Sequence, residues 1–345
     1  MPRLPLLLAL TLVSACALHG SALAQSCTPF GDAPAKLIDS SAPRCPGGSV
    51  LGPWADPDGT PRWACLWTPR APSDTPRPLL VYVHPSLATA DSAQSGTNLL
   101  SFIDGSALAA PGGPAGFILL APTGRDTTHH YPAPDAQGTG WDHWYRQFNP
   151  AGDVTVNGVS YRENVDAATL DHFIDAEVAT GAVDTQRIFL TGWSNGTSMS
   201  YEYALNRPNV AAIAVYSGAS PYQRMSDPCP QTPVTDAPVS NAQVRVFDPR
   251  VPTYQVHNNC DGGGMCPNVL RLDGELRAFG AVAQGQIINA SQRAVNRCLA
   301  SCGRDPDGSA LNPLALTLGL RNHIRWPDEW TDDMLAFLQK HPLGH

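Results

Sequence analysis

Gly192-Trp193-Ser194-Asn195-Gly196 sets a serine between two glycines with one residue on either side. The run RIFLT before it is apolar and β-branched, and NGTSMSYEYALN after it has a helical composition that ends before Pro208. A strand, a very tight turn and a helix in that order lift a side chain clear of the backbone and expose its hydroxyl as a nucleophile. The flanking glycines are needed because such a turn packs between sheet and helix with no room for a Cβ. The helix N-terminus behind the serine adds positive potential where an oxyanion forms. A serine nucleophile requires a base and an acid further along the chain, on loops after later strands.

After Ser194 the histidines are His257, His323, His341 and His345. His257 lies inside or before the stretch expected to carry the acid, and His341 and His345 fall past the last helical pattern. His323 remains as the general base toward Ser194 and then the acid toward the leaving group. The acid should stand just beyond a late strand. TYQVH, residues 253–257, reads as that strand and NNCD follows, so Asp261 is expected to orient His323, with Asp248 and Asp273 as runners-up. An oxyanion hole takes two main-chain donors. The N–H of Asn195 is one. The other belongs to the loop His84-Pro85-Ser86-Leu87, where Pro85 has no N–H, so Ser86 is chosen.

These groups must be positioned by a sheet. Buried strand patterns occur at Trp63–Trp67, Pro78–His84, Gly116–Ala121, Arg187–Thr191, Ala212–Tyr216 and Thr253–His257, with a further candidate at Leu314–Leu320. Continuous apolar runs bounded by turn residues suit strands covered on both faces. Helical patterns fall at Asn164–Ala179, Asn195–Asn206 and Asp328–Lys340. The alternation implies a mostly parallel central sheet with helices on both faces, an α/β class.

The chain has 345 residues, 43% of them hydrophobic, which supplies a substantial core. Its net charge of −8 argues against nucleic acid as a partner, since phosphate binding needs a basic stripe. Met1–Ala24 reads as a signal peptide: a basic start, an apolar stretch and Ala22-Leu23-Ala24 as cleavage site. Cleavage after Ala24 is favoured; the alternative is a lipobox, Val13 to Cys16, leaving a lipoprotein anchored through Cys16. No later stretch approaches the length of a transmembrane segment. Of nine cysteines, eight lie beyond Cys16, an even number that fits disulfides in a secreted, extracellular or periplasmic protein. A zinc site at Cys260, Cys266, Cys298 and Cys302 is the alternative use, and their spacing is poor for it. His129-His130 has no third partner, so no metal and no cofactor are expected.

The organisation expected is a signal peptide at 1–24, an irregular Cys/Pro/Gly-rich segment at 25–60, and a catalytic domain at 61–345 with a loop or cap insertion near 127–164. That insertion is rich in aromatics, including Tyr131, Trp141, Trp144, Tyr145 and Phe148, which suit stacking on substrate or anchoring of the loop itself. Trp193, His84, Trp141 and Trp144 are the candidate substrate-binding side chains.

From about Trp63 to the C-terminal helix the chain resembles the secreted esterase family of polyhydroxybutyrate depolymerase catalytic domains and feruloyl or acetylxylan esterases. VDTQRIFLTGWSNGTSMSYEYA is similar to that family's V-D-x-x-R-I…G-x-S-x-G segment, VYVHPS to its strand ending in His-Gly-Cys, VHNNCD to His-Gly-x-x-Asp and NHIRWP to Gly-His-x-Trp-Pro. The resemblance implies an α/β-hydrolase fold and ester hydrolysis through Ser194, Asp261 and His323, without cofactor. The chain departs from the pattern at Pro85, Thr197 and Asn258, each in place of glycine, and at Arg325, which adds a residue before Trp326. A Cys260–Cys266 bridge pinning Asp261 is a further conjecture. Other outcomes remain open: a polyester or a soluble ester as substrate, peptidase or thioesterase chemistry on the same residues, or a non-catalytic binding protein with a vestigial serine turn.

Overall fold

The computed structural model describes residues 42–56, 59–124, 140–141, 154–156, 159–161, 165–218, 248, 250–261, 265–299 and 319–344. The stretch read as a signal peptide, with Cys16, and also Trp144, His129-His130 and most of the expected 127–164 insertion, lie outside the described residues.

The strands are β1 (Ser49–Ala55), β2 (Pro61–Trp67), β3 (Arg77–Val83), β4 (Ile118–Pro122), β5 (Val154–Val156), β6 (Val159–Tyr161), β7 (Val183–Gly192), β8 (Ala212–Tyr216), β9 (Thr253–Asn258), β10 (Ala283–Ile288) and β11 (Ala294–Val295). Nine of them form one sheet in the order β1-β2-β4-β3-β7-β8-β9-β10-β11. The six strands from β4 to β10 in that order run parallel, while β1, β2 and β11 are antiparallel at the edges. Strands β5 and β6 form a separate hairpin.

The parallel strands are apolar throughout because both faces are covered. Leu79, Val81 and Val83 of β3 and Ile188 and Leu190 of β7 face one core with Leu170, Phe173 and Ile174 of helix α1 (Val165–Ala179) and Met199 and Tyr203 of helix α2 (Asn195–Ala204). That core also takes in Leu272 and Leu276 of helix α3 (Met265–Ala278). Leu80, Tyr82, Phe189 and Tyr216 point the other way, onto Leu99, Leu108 and the Met334–Leu338 stripe of helix α4 (Thr331–Gln339).

The chain leaves β3 for β4 on one side and returns to β7 on the other, so the strand order reverses between β3 and β7. A sheet of this kind opens a crevice beyond the carboxyl ends of its strands at that point. Ser194 follows β7 there.

Three expectations need correction. Residues 25–60 were expected to be irregular, yet Ser49–Ala55 is a strand. It pairs with β2 through a register shift between Leu51 and Trp54, and its outer edge tolerates Pro53 because no ladder donor is needed on that side. A parallel strand absent from the expected set is Ala283–Ile288, the last among the described residues, whereas most of the candidate strand Leu314–Leu320 lies outside them. Of that stretch, only Gly319 and Leu320 are described, and they open a helical turn that runs to His323. Finally, Cys266 bonds Cys298 rather than Cys260, because Cys266 sits on the first turn of α3 facing the segment after β11. Cys260 is itself disulfide-bonded. A second bridge, Cys45–Cys65, ties β2 to the chain before β1. With Cys260, Cys266 and Cys298 in disulfides, three of the four cysteines of the zinc alternative are not thiolates.

Candidate active site

Ser194 is held between β7 and α2 with φ +56° and ψ −119°, a conformation that a residue with a side chain rarely adopts. Its N–H donates to the Tyr216 carbonyl and the turn closes by Gly196 N–H to Trp193 O and Thr197 N–H to Ser194 O. The glycines are obligatory. A Cβ on Gly196 would stand 2.0 Å from the Val83 carbonyl oxygen, and one on Gly192 would stand 2.4 Å from the Gly196 carbonyl oxygen. Thr197, where the resembled family has glycine, sends its hydroxyl to the Gly192 and Tyr216 carbonyls at 3.0 and 2.7 Å and so braces the turn from inside.

The three residues singled out from the sequence meet. Ser194 Oγ lies 2.6 Å from His323 Nε2, and His323 Nδ1 lies 2.8 Å from Asp261 Oδ1. A carboxylate accepts, so Nδ1 carries the proton and Nε2 presents its lone pair to the Ser194 hydroxyl. Asp261 is buried, while Ser194 and His323 are partly open.

His323 ends a helical turn whose position is fixed by its carbonyls. Trp193 Nε1–H donates to the His323 carbonyl at 2.8 Å and the Tyr216 hydroxyl donates to the Asn322 carbonyl at 2.8 Å. The Asn322 side chain reaches Asn258 Oδ1 at 3.1 Å and the Cys260 carbonyl at 2.9 Å, joining the base loop to the acid loop. Asn258 also accepts the Cys260 N–H at 3.0 Å. The asparagine that departs from the resembled family's glycine therefore shapes the turn that presents Asp261.

Sequence reasoning missed Ser217, the first residue after β8. Its hydroxyl donates to Asp261 Oδ2 and lies 2.9 Å from His323 Nδ1. Ser217, Asp261 and His323 thus form a second hydrogen-bonded arrangement around the same ring nitrogen. No spacing rule marks the Tyr216-Ser217-Gly218 sequence; only its place at the end of a buried strand gives a signal.

The other residues picked out from the sequence fall around this centre. His84 is fully buried at the end of β3, with Nε2 accepting the Gly124 N–H at 2.8 Å and Nδ1 donating to the Pro85 carbonyl at 2.8 Å. Burial pushes its pKa down to about 4, so it is neutral. Trp141 is also fully buried. It donates Nε1–H to the His84 carbonyl at 2.9 Å, and its backbone exchanges two hydrogen bonds with the Asn195 amide, at 2.6 and 3.1 Å. Trp193 is 7% exposed and packs edge-on against Trp326. Asn195 opens α2 directly behind Ser194, and Ser86 is half-buried in the loop after β3, beside Leu87 at φ +65°.

The runners-up for the acid are not brought to His323. Asp248 pairs with Arg250, at 2.9 Å. Asp273 sits on α3 against Gly285 of β10, and burial lifts its pKa to about 7. His257, inside β9, is buried and pushed down to about 4, mainly by desolvation, with Asp261 opposing the shift.

No family model matches the chain, and no curated protein does. Solved structures match. A thermostable esterase superposes with a TM-score of 0.51 at 15% identity over 86% of this chain and 64% of its own, so this chain spans less than two thirds of that structure. A ferulic acid esterase gives 0.49 at 13% identity, covering 85% and 98% of the two chains. An acetyl xylan esterase from Aspergillus awamori gives 0.45 at 16%, covering 68% and 80%. The first of these likenesses, with the strand order of the nine-stranded sheet, shows an α/β-hydrolase fold.

Proposed function

We propose that this protein is a serine carboxylic ester hydrolase in which Ser194 is the nucleophile, His323 the general base and acid, and Asp261 the carboxylate that orients the imidazole. One observation carries the reading: an unbroken line of hydrogen bonds from Ser194 Oγ through both nitrogens of His323 to Asp261, at 2.6 and 2.8 Å.

In this mechanism Ser194 Oγ attacks the ester carbonyl carbon as its proton passes to His323 Nε2. The negative oxygen of the tetrahedral intermediate is met by the N–H groups of Asn195 and Ser86. Asp261 stabilises the imidazolium without taking its proton. The C–O bond to the alcohol breaks and Nε2 returns the proton to that oxygen, leaving an acyl group on Ser194. Water, deprotonated by Nε2, adds to the acyl carbon, and collapse of that intermediate releases the acid and restores the serine.

Trp193 borders the serine, while His84 and Trp141 are buried and support the turn from behind rather than touching substrate. Trp144, outside the described residues, stays a candidate contact to the acyl group. The substrate is a polyester of the polyhydroxybutyrate type or a soluble feruloyl or acetylxylan ester. The catalytic unit, expected to begin at 61, takes in β1 and the Cys45–Cys65 bridge as well, and follows a signal peptide. Disulfides at Cys45–Cys65 and Cys266–Cys298 support export to an oxidising compartment. Among the described residues no helix is long and apolar enough to cross a membrane.

The test is turnover of a panel of p-nitrophenyl esters, with methyl ferulate and a polyhydroxybutyrate clearing assay beside it. Turnover lost in Ser194→Ala at unchanged fold is the expected result. No turnover by the wild type across the panel, or full turnover by the variant, removes the reading.

A further inference from the structure

We propose that Ser217 is a positioning residue for the acid–base pair, holding the Asp261 carboxylate and the His323 ring in register through one hydroxyl. The proposal rests on the esterase reading and adds a fourth side chain to it.

The geometry leaves this hydroxyl little else to do. Ser217 is fully buried, its O–H donates to Asp261 Oδ2, and its oxygen lies 2.9 Å from His323 Nδ1. Asp261 Oδ1 accepts from that same Nδ1 at 2.8 Å. The carboxylate is therefore held at both oxygens and cannot rotate away from the ring. The Nδ1–H points between two acceptors, which locks the proton on Nδ1 and leaves Nε2 free to act on Ser194. Ser217 is not itself a second nucleophile, because it meets the nitrogen that faces Asp261 and has no exposed surface.

The backbone argues the same way. Ser217 has φ +57°, the left-handed region in which glycine is the unstrained residue. Its N–H donates to the Val256 carbonyl at 3.2 Å, so the position is fixed between β8 and β9. A serine retained where glycine would fit better points to use of its side chain.

That strain makes the test clean. Ser217→Gly removes the hydroxyl and relieves the backbone, so the variant should melt at or above the wild-type temperature. Its kcat on p-nitrophenyl acetate should fall about 10- to 100-fold with KM within about twofold, the loss of a hydrogen bond to a charged group. Ser217→Ala, which keeps the strain, should show the same kinetic loss at a lower melting temperature. The low-field proton resonance of His323 Nδ1–H, recorded on both variants, should shift or broaden. A kcat within about twofold of wild type with an unmoved resonance overturns the assignment, as does a kinetic loss that follows melting temperature rather than the hydroxyl. A wild type that turns over no ester, with a resonance that still depends on Ser217, retires the esterase reading alone and leaves the positioning role standing.

Discussion

Two serines stand at the carboxyl ends of neighbouring parallel strands, Ser194 after β7 and Ser217 after β8. Both have positive φ, +56° and +57°. Each is followed closely by a glycine with no space for a Cβ: Gly196 against the Val83 carbonyl, and Gly218 against Thr197, 2.1 Å from its Cβ. They meet opposite nitrogens of one imidazole. What separates them is access. Ser194 is partly open and faces the nitrogen with the lone pair; Ser217 is fully buried and faces the nitrogen that carries the proton. On the proposed reading the same strained turn serves attack in one place and alignment in the other, with solvent access and proton placement deciding which.

Substitution at the two serines should separate those roles most sharply. Ser194→Ala should lower kcat by roughly five to six orders of magnitude, as expected for a lone nucleophile, measured by ester turnover at matched circular dichroism. The loss at Ser217 should stay within about two orders of magnitude. Comparable losses at both positions would break the distinction.

The glycines come next. Gly196→Ala forces a Cβ onto backbone that cannot yield and should cost about 3 kcal/mol in denaturant unfolding. Gly218→Ala meets the Thr197 Cβ at 2.1 Å and the Ser194 carbonyl oxygen at 2.7 Å, and Thr197 is held by two hydrogen bonds, so its cost should be of similar size. A much smaller cost at Gly218 would mean that the β8 turn is the more yielding of the two.

A third test contrasts the two buried carboxylates. Asp261 is bonded by Ser217 and His323, whereas Asp273 has no hydrogen-bond partner among the described residues and a pKa raised to about 7 by burial. A carboxyl whose folded pKa lies above its unfolded value favours the fold at low pH. That contribution is complete below about pH 4 and lost as pH rises to about 7. Asp273→Asn should therefore raise the melting temperature by roughly 2 to 5 °C at pH 8 and much less at pH 4.5, with ester turnover unchanged.

The smallest effect is expected at Trp193. Trp193→Phe keeps an aromatic ring but deletes the donor to the His323 carbonyl, and kcat should fall roughly three- to tenfold.

The contrast between the serines also explains what could be read in advance. The Ser194 turn announces itself because five residues in a row satisfy one backbone demand, and the strand and helix around it are strongly patterned. Asp261 followed from its place after β9 and His323 from chain order, although His323 ends a helical turn rather than following a described strand. Ser217 had no such signature, since a serine before a glycine is common and its partners lie 44 and 106 residues away. Ala283–Ile288 was missed because Gln284, Gly285 and Gln286 dilute its apolar pattern, although it completes the parallel sheet. The cysteine pairing was not legible at all: sequence neighbours Cys260 and Cys266 are separated by the entry into α3, and pairing follows the fold. Trp193 was singled out as a pocket residue, and the structure adds that its N–H fixes the histidine turn.

The central claim is most directly tested by reacting the protein with a fluorophosphonate and mapping the adduct by peptide mass spectrometry. Only a serine activated by an adjacent base reacts readily. The account requires one adduct, on the peptide carrying Ser194, with none on Ser217 and with labelling strongly slowed in His323→Ala. No adduct, or an adduct on Ser217, would contradict it.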